Sequence, residues 1–310
     1  MTLAVTDLES AGQVEFLALM REVYGSAMSE REFDWYFERN PAGRGIVSVA
    51  ESNGHVVGVS AMALARALVG GREMTVAFAV HAATHPTARG KGAFSRLELR
   101  NEERATAEGA SLALGFTNPL AGPILVGRLG WRDLYRMRIW ARPLRPLRAL
   151  RRRGGGGLPA GHGGTLTAFT AAHERAWRAV QDGWGDCLVR DTAYLNWRYL
   201  QSPKDYRAFA SENGYAVVGH AVHAGVSAAA VCDLVGPPRE QRRLLRRCVE
   251  AARGGADAVV AVPGPGQRAA YLSQGFVPTP RTIRVIGKPL VPEAPLPAAW
   301  HFALGDTDLV

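Results

Sequence analysis

A short turn with two glycines and two basic residues is the stretch of this chain best suited to chemistry. It reads Arg89-Gly90-Lys91-Gly92 and lies between an apolar, strand-like run and a helix-like run. The glycines let the backbone approach a ligand without side chains in the way. The first N–H groups of a helix have no partners inside that helix, and the helix dipole favours negative charge there. The pattern therefore predicts a binding site for a phosphate-bearing ligand.

The spacing of the glycines excludes two common phosphate-binding motifs. No Ser or Thr follows the Gly-Lys pair, as a Walker loop requires, and the third glycine of a dinucleotide fingerprint is missing. The run from His85 to Leu97 instead resembles the pyrophosphate loop of the GNAT N-acetyltransferase superfamily, which binds acetyl-CoA. It departs from the broader family pattern at Phe94, where Gly or Ala is usual, although main-chain donors can still serve there.

The resemblance implies a set of cofactor-binding residues. In GNAT enzymes the fourth strand splays from the next strand, and the pantetheine of acetyl-CoA lies in the gap. By this resemblance, the pantetheine contacts are Ala82, Ala83 and Thr84, and the pyrophosphate contacts are Arg89, Gly90, Lys91, Gly92, Ala93 and Phe94. Asn118 follows the next strand, where the family often has an Asn that touches the cofactor. Capping of the following helix is an equally open interpretation of Asn118.

Acetyl transfer to an amine needs a base, a polarised thioester oxygen and, for the leaving thiolate, a proton donor. His81 is the best side chain for the base because the unperturbed pKa of histidine suits neutral pH. A histidine that only packs in the core is the alternative. The Tyr that usually donates the proton in the family is replaced by Val126. Tyr135, a water molecule or no group at all can fill that role.

The elements around the loop are predicted to form a mixed α/β sheet. Asn53-Gly54 indicates a hairpin turn between two apolar runs. Residues 73–84 are predicted as a long strand, 93–108 as a helix and 111–116 as the next strand. This order is the GNAT order, with the cofactor loop after the fourth strand.

The chain also divides into two similar halves. Residues 144–164 are rich in arginine and glycine, and such a stretch does not repay the entropy of ordering, so it is predicted as a linker. Each half contains a Trp segment, around Trp35 or Trp197, and a later Gly-aromatic pair. We therefore predict two tandem GNAT-like domains, residues 1–143 and 165–310.

The second half is predicted to be a degenerate copy of the first. At the position of the phosphate loop it has Gly236-Pro237-Pro238-Arg239, without a glycine pair. The two prolines also remove two N–H donors. This turn is poorly suited to binding a pyrophosphate.

Composition limits the class of protein. The 310 residues are 47% hydrophobic and 21% charged, which is typical of globular proteins. No apolar stretch is long enough for a membrane span, and no secretion signal is visible. Three widely spaced cysteines without metal-binding spacing predict reduced thiols in a cytoplasmic protein with no bound metal.

The net charge of +9 comes largely from arginines between residues 142 and 153. No aromatic residues interleave with them as a stacking platform would require, so a nucleic-acid partner is not expected. A homodimer is left open by the sequence.

Together these observations predict an acetyl-CoA-dependent N-acetyltransferase acting on the amine of a small-molecule metabolite. Two alternatives stay open. One is an aminoacyl-tRNA-dependent transferase of the Fem type, which the intact loop argues against. The other is a non-catalytic acyl-CoA-binding regulatory protein, which the replacement by Val126 favours.

Overall fold

A computed structural model describes residues 3–8, 12–145, 166–223 and 226–307 of the chain. The described residues fall into two compact units. The first contains residues up to 135 together with 284–298, and the second contains residues 136–283 together with those from 299 onward. All but the first two residues of the predicted linker, 144–164, lie outside the described part of the chain.

The first unit is built on a mixed sheet. Its first five strands are hydrogen-bonded in chain order: β1 (Ala4–Asp7), β2 (Ile46–Ser52), β3 (His55–Val69), β4 (Arg72–Thr84) and β5 (Ala110–Thr117). All pairs are antiparallel except β4 and β5, which are parallel. Residues 284–289 complete the sheet by pairing antiparallel with β5.

The helices of the first unit connect these strands. They are α1 (Gln13–Tyr24), α2 (Glu30–Phe33), α3 (Ala93–Ala107) and α4 (Gly122–Arg128). A capping box between Ser29 and Glu32 starts α2, which continues as a π-helix over Asp34–Glu38. One apolar cluster of this unit includes Ile46, Met62, Leu125, Trp131 and Ile286.

The second unit also contains parallel and antiparallel strands. It uses, in this order, residues 136–143 of β6 (Arg132–Pro143), then β11 (Ala258–Ala261), β10 (Val226–Val235), β9 (Gly214–His223) and β8 (Tyr206–Ser211). The short strands β7 (Asp186–Leu188) and β13 (Trp300–His301) pair with each other in parallel. Only β10 and β11 are parallel within the main sheet of this unit.

The helices of the second unit follow a similar order. They are α5 (Ala171–Gln181), α6 (Thr192–Leu195), α7 (Pro238–Ala252) and α8 (Arg268–Ser273), with a π-helix over Asn196–Leu200 after α6. The apolar face of α7 contributes Leu244, Leu245 and Val249 to the core of this unit.

The predicted mixed α/β class is confirmed by these parallel and antiparallel strands and the helices between them. The boundaries of the compact units differ from the boundaries of the predicted domains. Residues 136–143 belong to the second unit, and 284–298, which include the end of β12 (Val277–Pro289), belong to the first. The domain ranges 1–143 and 165–310 therefore stay a prediction.

Candidate functional site

The glycine turn identified in the sequence lies between β4 and α3. Gly90 and Gly92 both adopt left-handed backbone conformations, with φ of 74° and 81°, and Gly92 is the N-cap of α3. A Cβ atom added to either glycine would meet nothing within 4 Å. These positions need glycine for its backbone freedom, and the space around them is open.

The start of α3 presents main-chain donors. Within the described residues, no acceptor is found for the N–H groups of four successive residues, Gly92, Ala93, Phe94 and Ser95. The positive end of the helix dipole reinforces these donors. Such an arrangement fits the oxygens of a phosphate group.

The two basic side chains of the turn lie close to its backbone. Arg89 donates from Nε to the carbonyl oxygen of Thr84 at 3.3 Å, and Lys91 donates from Nζ to that of Thr87 at 2.6 Å. Both side chains are exposed. Their charges therefore lie beside the unpaired N–H groups and add to the attraction for an anion.

Contacts with α1 fix the start of the turn. The Nε2 atom of His85 lies 2.9 Å from Oε1 of Glu22, and its Nδ1 lies 2.7 Å from Oγ1 of Thr87. A surface cavity of about 490 Å³ lies here, between α1 and the turn that joins β2 to β3. It is on the β3 side of β4, away from β5.

A gap opens between β4 and β5 next to the turn. Their parallel pairing runs from Thr75↔Ala110 to Ala79↔Gly115 and stops there. Residues 80–84 pair with β3 only, in the ladders that the structure describes. The gap is where the GNAT resemblance predicts the pantetheine.

The direction of the main-chain groups in residues 80–84 follows from one hydrogen bond. His85 donates its N–H to the carbonyl oxygen of Val57 at 2.9 Å, so His85 faces β3. Residues alternate in direction along an antiparallel ladder, so Ala83 also faces β3 and Thr84 faces the gap. The peptide between Ala82 and Ala83 is planar and trans, so the Ala82 carbonyl points away from β3, into the gap.

His81 lies in a β-bulge of β4. The pairing steps from Ala83↔Val59 to Val80↔Ala61, which leaves two residues of β4 opposite one of β3. His81 has a φ of 47°, a conformation that non-glycine residues rarely adopt. Such strained positions are often found at functional sites.

The ring of His81 faces the segment that follows α2. Its centroid lies 5.8 Å from that of Tyr36 and 6.1 Å from that of Phe37, both edge-on. His81 is half-buried, and the aromatic rings fix its orientation. Its role as a base stays a prediction.

Tyr24 is a residue of the gap that sequence reasoning missed. It is the last residue of α1, is 58% exposed, and donates its hydroxyl to the carbonyl oxygen of Ala82 at 2.6 Å. No spacing in the sequence pointed to it, because residues 24 and 82 are brought together only by the packing of α1 on the sheet.

The other predicted site residues lie in different surroundings. Asn118 accepts at Oδ1 from the N–H groups of Leu120 and Ala121, at 2.9 and 3.0 Å, and so caps the turn that leads into α4. Its contact with a cofactor stays a prediction. Tyr135 lies on β6 with a buried hydroxyl, and Val126 packs against the apolar cluster of the first unit.

Helix α3 also buries a carboxyl group, less than two turns from its loop end. Glu98 is 1% exposed and hydrogen-bonded to the hydroxyl of Ser60. Desolvation raises the pKa of Glu98 to about 7, and the neighbouring Glu102 adds to the rise, while the bond from Ser60 opposes it.

The corresponding region of the second unit is filled by its own side chains. Pairing of β10 with β11 stops at Ala230↔Val260. Beyond it, the buried Gln267 donates from Nε2 to the carbonyl oxygen of Leu234 at 2.7 Å, and Gln241 donates to that of Gly236 at 2.8 Å. Helix α7 begins directly after Pro237, with a proline at its first position. That the second half is a degenerate copy of the first stays a prediction.

The described residues were compared with two further kinds of feature, metal-binding groups and membrane-spanning helices. Across the described ranges, no group of three or more His, Cys, Asp or Glu side chains is arranged to hold a metal ion. No helix in the same ranges is long and apolar enough to cross a membrane.

Several solved structures share this fold. A GCN5-related N-acetyltransferase from Anabaena variabilis has 13% identity and a TM-score of 0.66, with 94% of this chain and 73% of that chain covered. One from Kribbella flavida has 17% identity and a TM-score of 0.67, covering 93% and 71%. A probable N-acyltransferase from Enterococcus faecalis has 10% identity and a TM-score of 0.64, covering 94% and 73%.

Sequence comparison adds the family. No curated protein matches this chain significantly. The family model described as an acetyltransferase (GNAT) domain matches residues 5–133, which include the glycine turn, the gap and the bulge of β4. Over these residues the chain is therefore similar to a GNAT acetyltransferase domain.

Proposed function

We propose that this protein is an acetyl-CoA-dependent N-acetyltransferase that acts on the amine of a small-molecule metabolite. The observation that carries the proposal is the run of four unpaired N–H groups, from Gly92 to Ser95, beside the gap between β4 and β5. A diphosphate fits the run of N–H groups, and a narrow, extended chain fits the gap. Acetyl-CoA contains both a diphosphate and such a chain, its pantetheine.

The residues of the first unit have separate roles in this proposal. Bound acetyl-CoA would supply a thioester whose carbonyl carbon an amine can attack. The N–H groups from Gly92 to Ser95, with Arg89 and Lys91, hold the pyrophosphate. Thr84 faces the gap and offers its N–H to the thioester oxygen. His81, beside the gap in the bulge of β4, accepts the proton of the attacking amine.

One observation favours a second candidate, a non-catalytic acyl-CoA-binding protein. Val126, at the position of the usual proton donor, packs against an apolar cluster and has no proton to give. Thiol release from acetyl-CoA in the presence of a panel of amines separates the two. Release with at least one amine supports the enzyme, whereas binding without release with any amine supports the second candidate.

A substitution of Gly92 tests the cofactor site. We expect Gly92→Trp to abolish the thermal stabilisation by acetyl-CoA, because the indole would cover the N–H groups of α3. Gly109→Trp is a matched control, since Gly109 has a similar φ of 84°, is exposed, and has nothing within 4 Å of an added Cβ.

Both variants carry the strain of a left-handed non-glycine residue, about 1–2 kcal/mol. Only Gly92→Trp blocks the proposed site. If Gly92→Trp is stabilised by acetyl-CoA as much as Gly109→Trp is, the cofactor is held elsewhere and the proposal is wrong.

A further inference from the structure

The hydroxyl of Tyr24 lies at the gap of the first unit. The Ala82 carbonyl points away from β3, as the hydrogen bond from His85 to Val57 and the planar peptide require. The Tyr24 hydroxyl donates to that carbonyl at 2.6 Å. It is therefore held at the edge of β4 that β5 leaves unpaired, which is the edge where the thioester is proposed to bind.

Tyr24 can also reach a ligand. Tyr24 is 58% exposed, although its hydroxyl is hydrogen-bonded. Gly25, with a φ of 74°, ends α1 immediately after it, so the following chain leaves the ring uncovered. The hydroxyl of Tyr135, by contrast, is buried.

The site lacks a proton donor at the position that the family uses. Val126 occupies that position and packs into the apolar cluster. A thiolate leaves more readily when it is protonated as the bond to the acetyl carbon breaks. Tyr24 offers a phenolic proton at the same gap, from α1 instead of α4.

We propose that Tyr24 is the proton donor to the leaving thiolate of CoA. The inference rests on the proposed function. As the amine nitrogen forms its bond to the acetyl carbon, the carbon–sulfur bond breaks and its electron pair stays on sulfur. The Tyr24 hydroxyl gives up its hydrogen bond to the Ala82 carbonyl and its proton passes to the sulfur, while the amine proton passes to His81 or to water. The products are the N-acetylated amine and CoA thiol, and exchange with solvent restores the Tyr24 proton.

Tyr24→Phe tests this role by the kinetic parameter that it changes. We expect kcat to fall by about tenfold to a hundredfold. This loss is at or below the low end of the usual rate contribution of a general acid, because a thiolate is a good leaving group. The KM for acetyl-CoA should stay within about twofold, since the pyrophosphate contacts are intact.

Tyr206→Phe is the matched control. The Tyr206 hydroxyl lies in the second unit and accepts from Nη1 of Arg198 at 2.7 Å. Tyr206→Phe therefore loses a hydroxyl hydrogen bond similar in length to that of Tyr24, at a position distant in sequence. We expect the control to keep the kcat of the unaltered protein. Thermal melting of both variants checks that each is folded.

Two results would overturn the assignment. They are an unchanged kcat in Tyr24→Phe and a loss that falls on KM alone. A loss in Tyr135→Phe with none in Tyr24→Phe would assign the donor to Tyr135. Failure of the proposed function gives different results. In that case acetyl-CoA stabilises Gly92→Trp normally, or the unaltered protein releases no thiol from acetyl-CoA with any amine. The proposed role of Tyr24 would then be wrong as well.

Discussion

The carboxyl group of Glu98 meets the hydroxyl of Ser60 in the interior of the first unit, between α3 and the sheet. Its other oxygen, Oε2, has no hydrogen-bond partner in the described structure. A buried carboxylate with one partner is unfavourable, so the group holds its proton at higher pH than an exposed glutamate does. The same helix carries the proposed phosphate site at its N-terminus.

The pKa of Glu98 predicts how stability depends on pH. The pKa is about 7 in the folded protein against an ordinary value of 4.5, so the folded state binds this proton more tightly than the unfolded chain. The stabilisation that the proton provides is complete below pH 4.5 and is lost as the pH rises through 7. Glutamine resembles the protonated form at every pH. Glu98→Gln should therefore exceed the unaltered protein in stability by about 3 kcal/mol at pH 8.

That difference should shrink to less than about 1 kcal/mol at pH 5. Urea unfolding at both pH values measures it. Glu103→Gln, at an exposed position of the same helix, should show no comparable change. A difference between Glu98→Gln and the unaltered protein that stays constant from pH 5 to pH 8 would contradict the assignment of the proton to Glu98.

His81 provides a separate prediction for the chemical step. We expect His81→Asn to lower kcat by about a hundredfold or more, because Asn tolerates the left-handed conformation at this position but cannot act as the base. Stabilisation by acetyl-CoA should be retained, since the pyrophosphate contacts lie at the start of α3. Turnover and thermal shift on the same preparation measure both. A variant with unchanged kcat would show that His81 is only a packing residue of the bulge.

Local patterns in the sequence predicted the local parts of the site. The β2–β3 hairpin follows from Asn53-Gly54, and the turn before α3 follows from Gly90 and Gly92, because each residue type fits the backbone conformation at its own position. The apolar run at 166–169 forms no strand, although Leu166 donates its N–H to the carbonyl oxygen of Ala208. A short apolar run fits a strand only where a partner edge continues beside it.

Features that depend on distant partners were not visible in the sequence. The Trp segments form π-helices, Asp34–Glu38 and Asn196–Leu200, which their residue spacing does not indicate. The strand pattern of residues 284–289 does not indicate that they pair with β5. The bond from Tyr24 to Ala82 spans 58 residues and depends on how α1 packs on the sheet. Each of these is set by tertiary contacts that local spacing does not encode.

A buried ion pair predicts where the second unit is most sensitive to substitution. Arg190 donates from Nε to Asp233 at 2.8 Å and from Nη2 to Asp306 at 2.9 Å, and the side chains of all three are fully buried. Removal of the guanidinium would leave two carboxylates without their partner in a region closed to water. We expect Arg190→Met to lower the free energy of unfolding by about 3–5 kcal/mol.

Arg178→Met is the control for this prediction, because Arg178 pairs with Glu174 at 2.9 Å on the surface of α5 and should contribute less than about 1 kcal/mol. Desolvation already raises the pKa of Asp233 to about 6 even with Arg190 beside it. Combining Arg190→Met with Asp233→Asn and Asp306→Asn should therefore recover part of the loss, because it removes the unpaired charges. Urea unfolding of the three variants measures these differences. Equal losses in Arg190→Met and Arg178→Met would show that the buried ion pair contributes no more to stability than the exposed one, and would contradict the prediction.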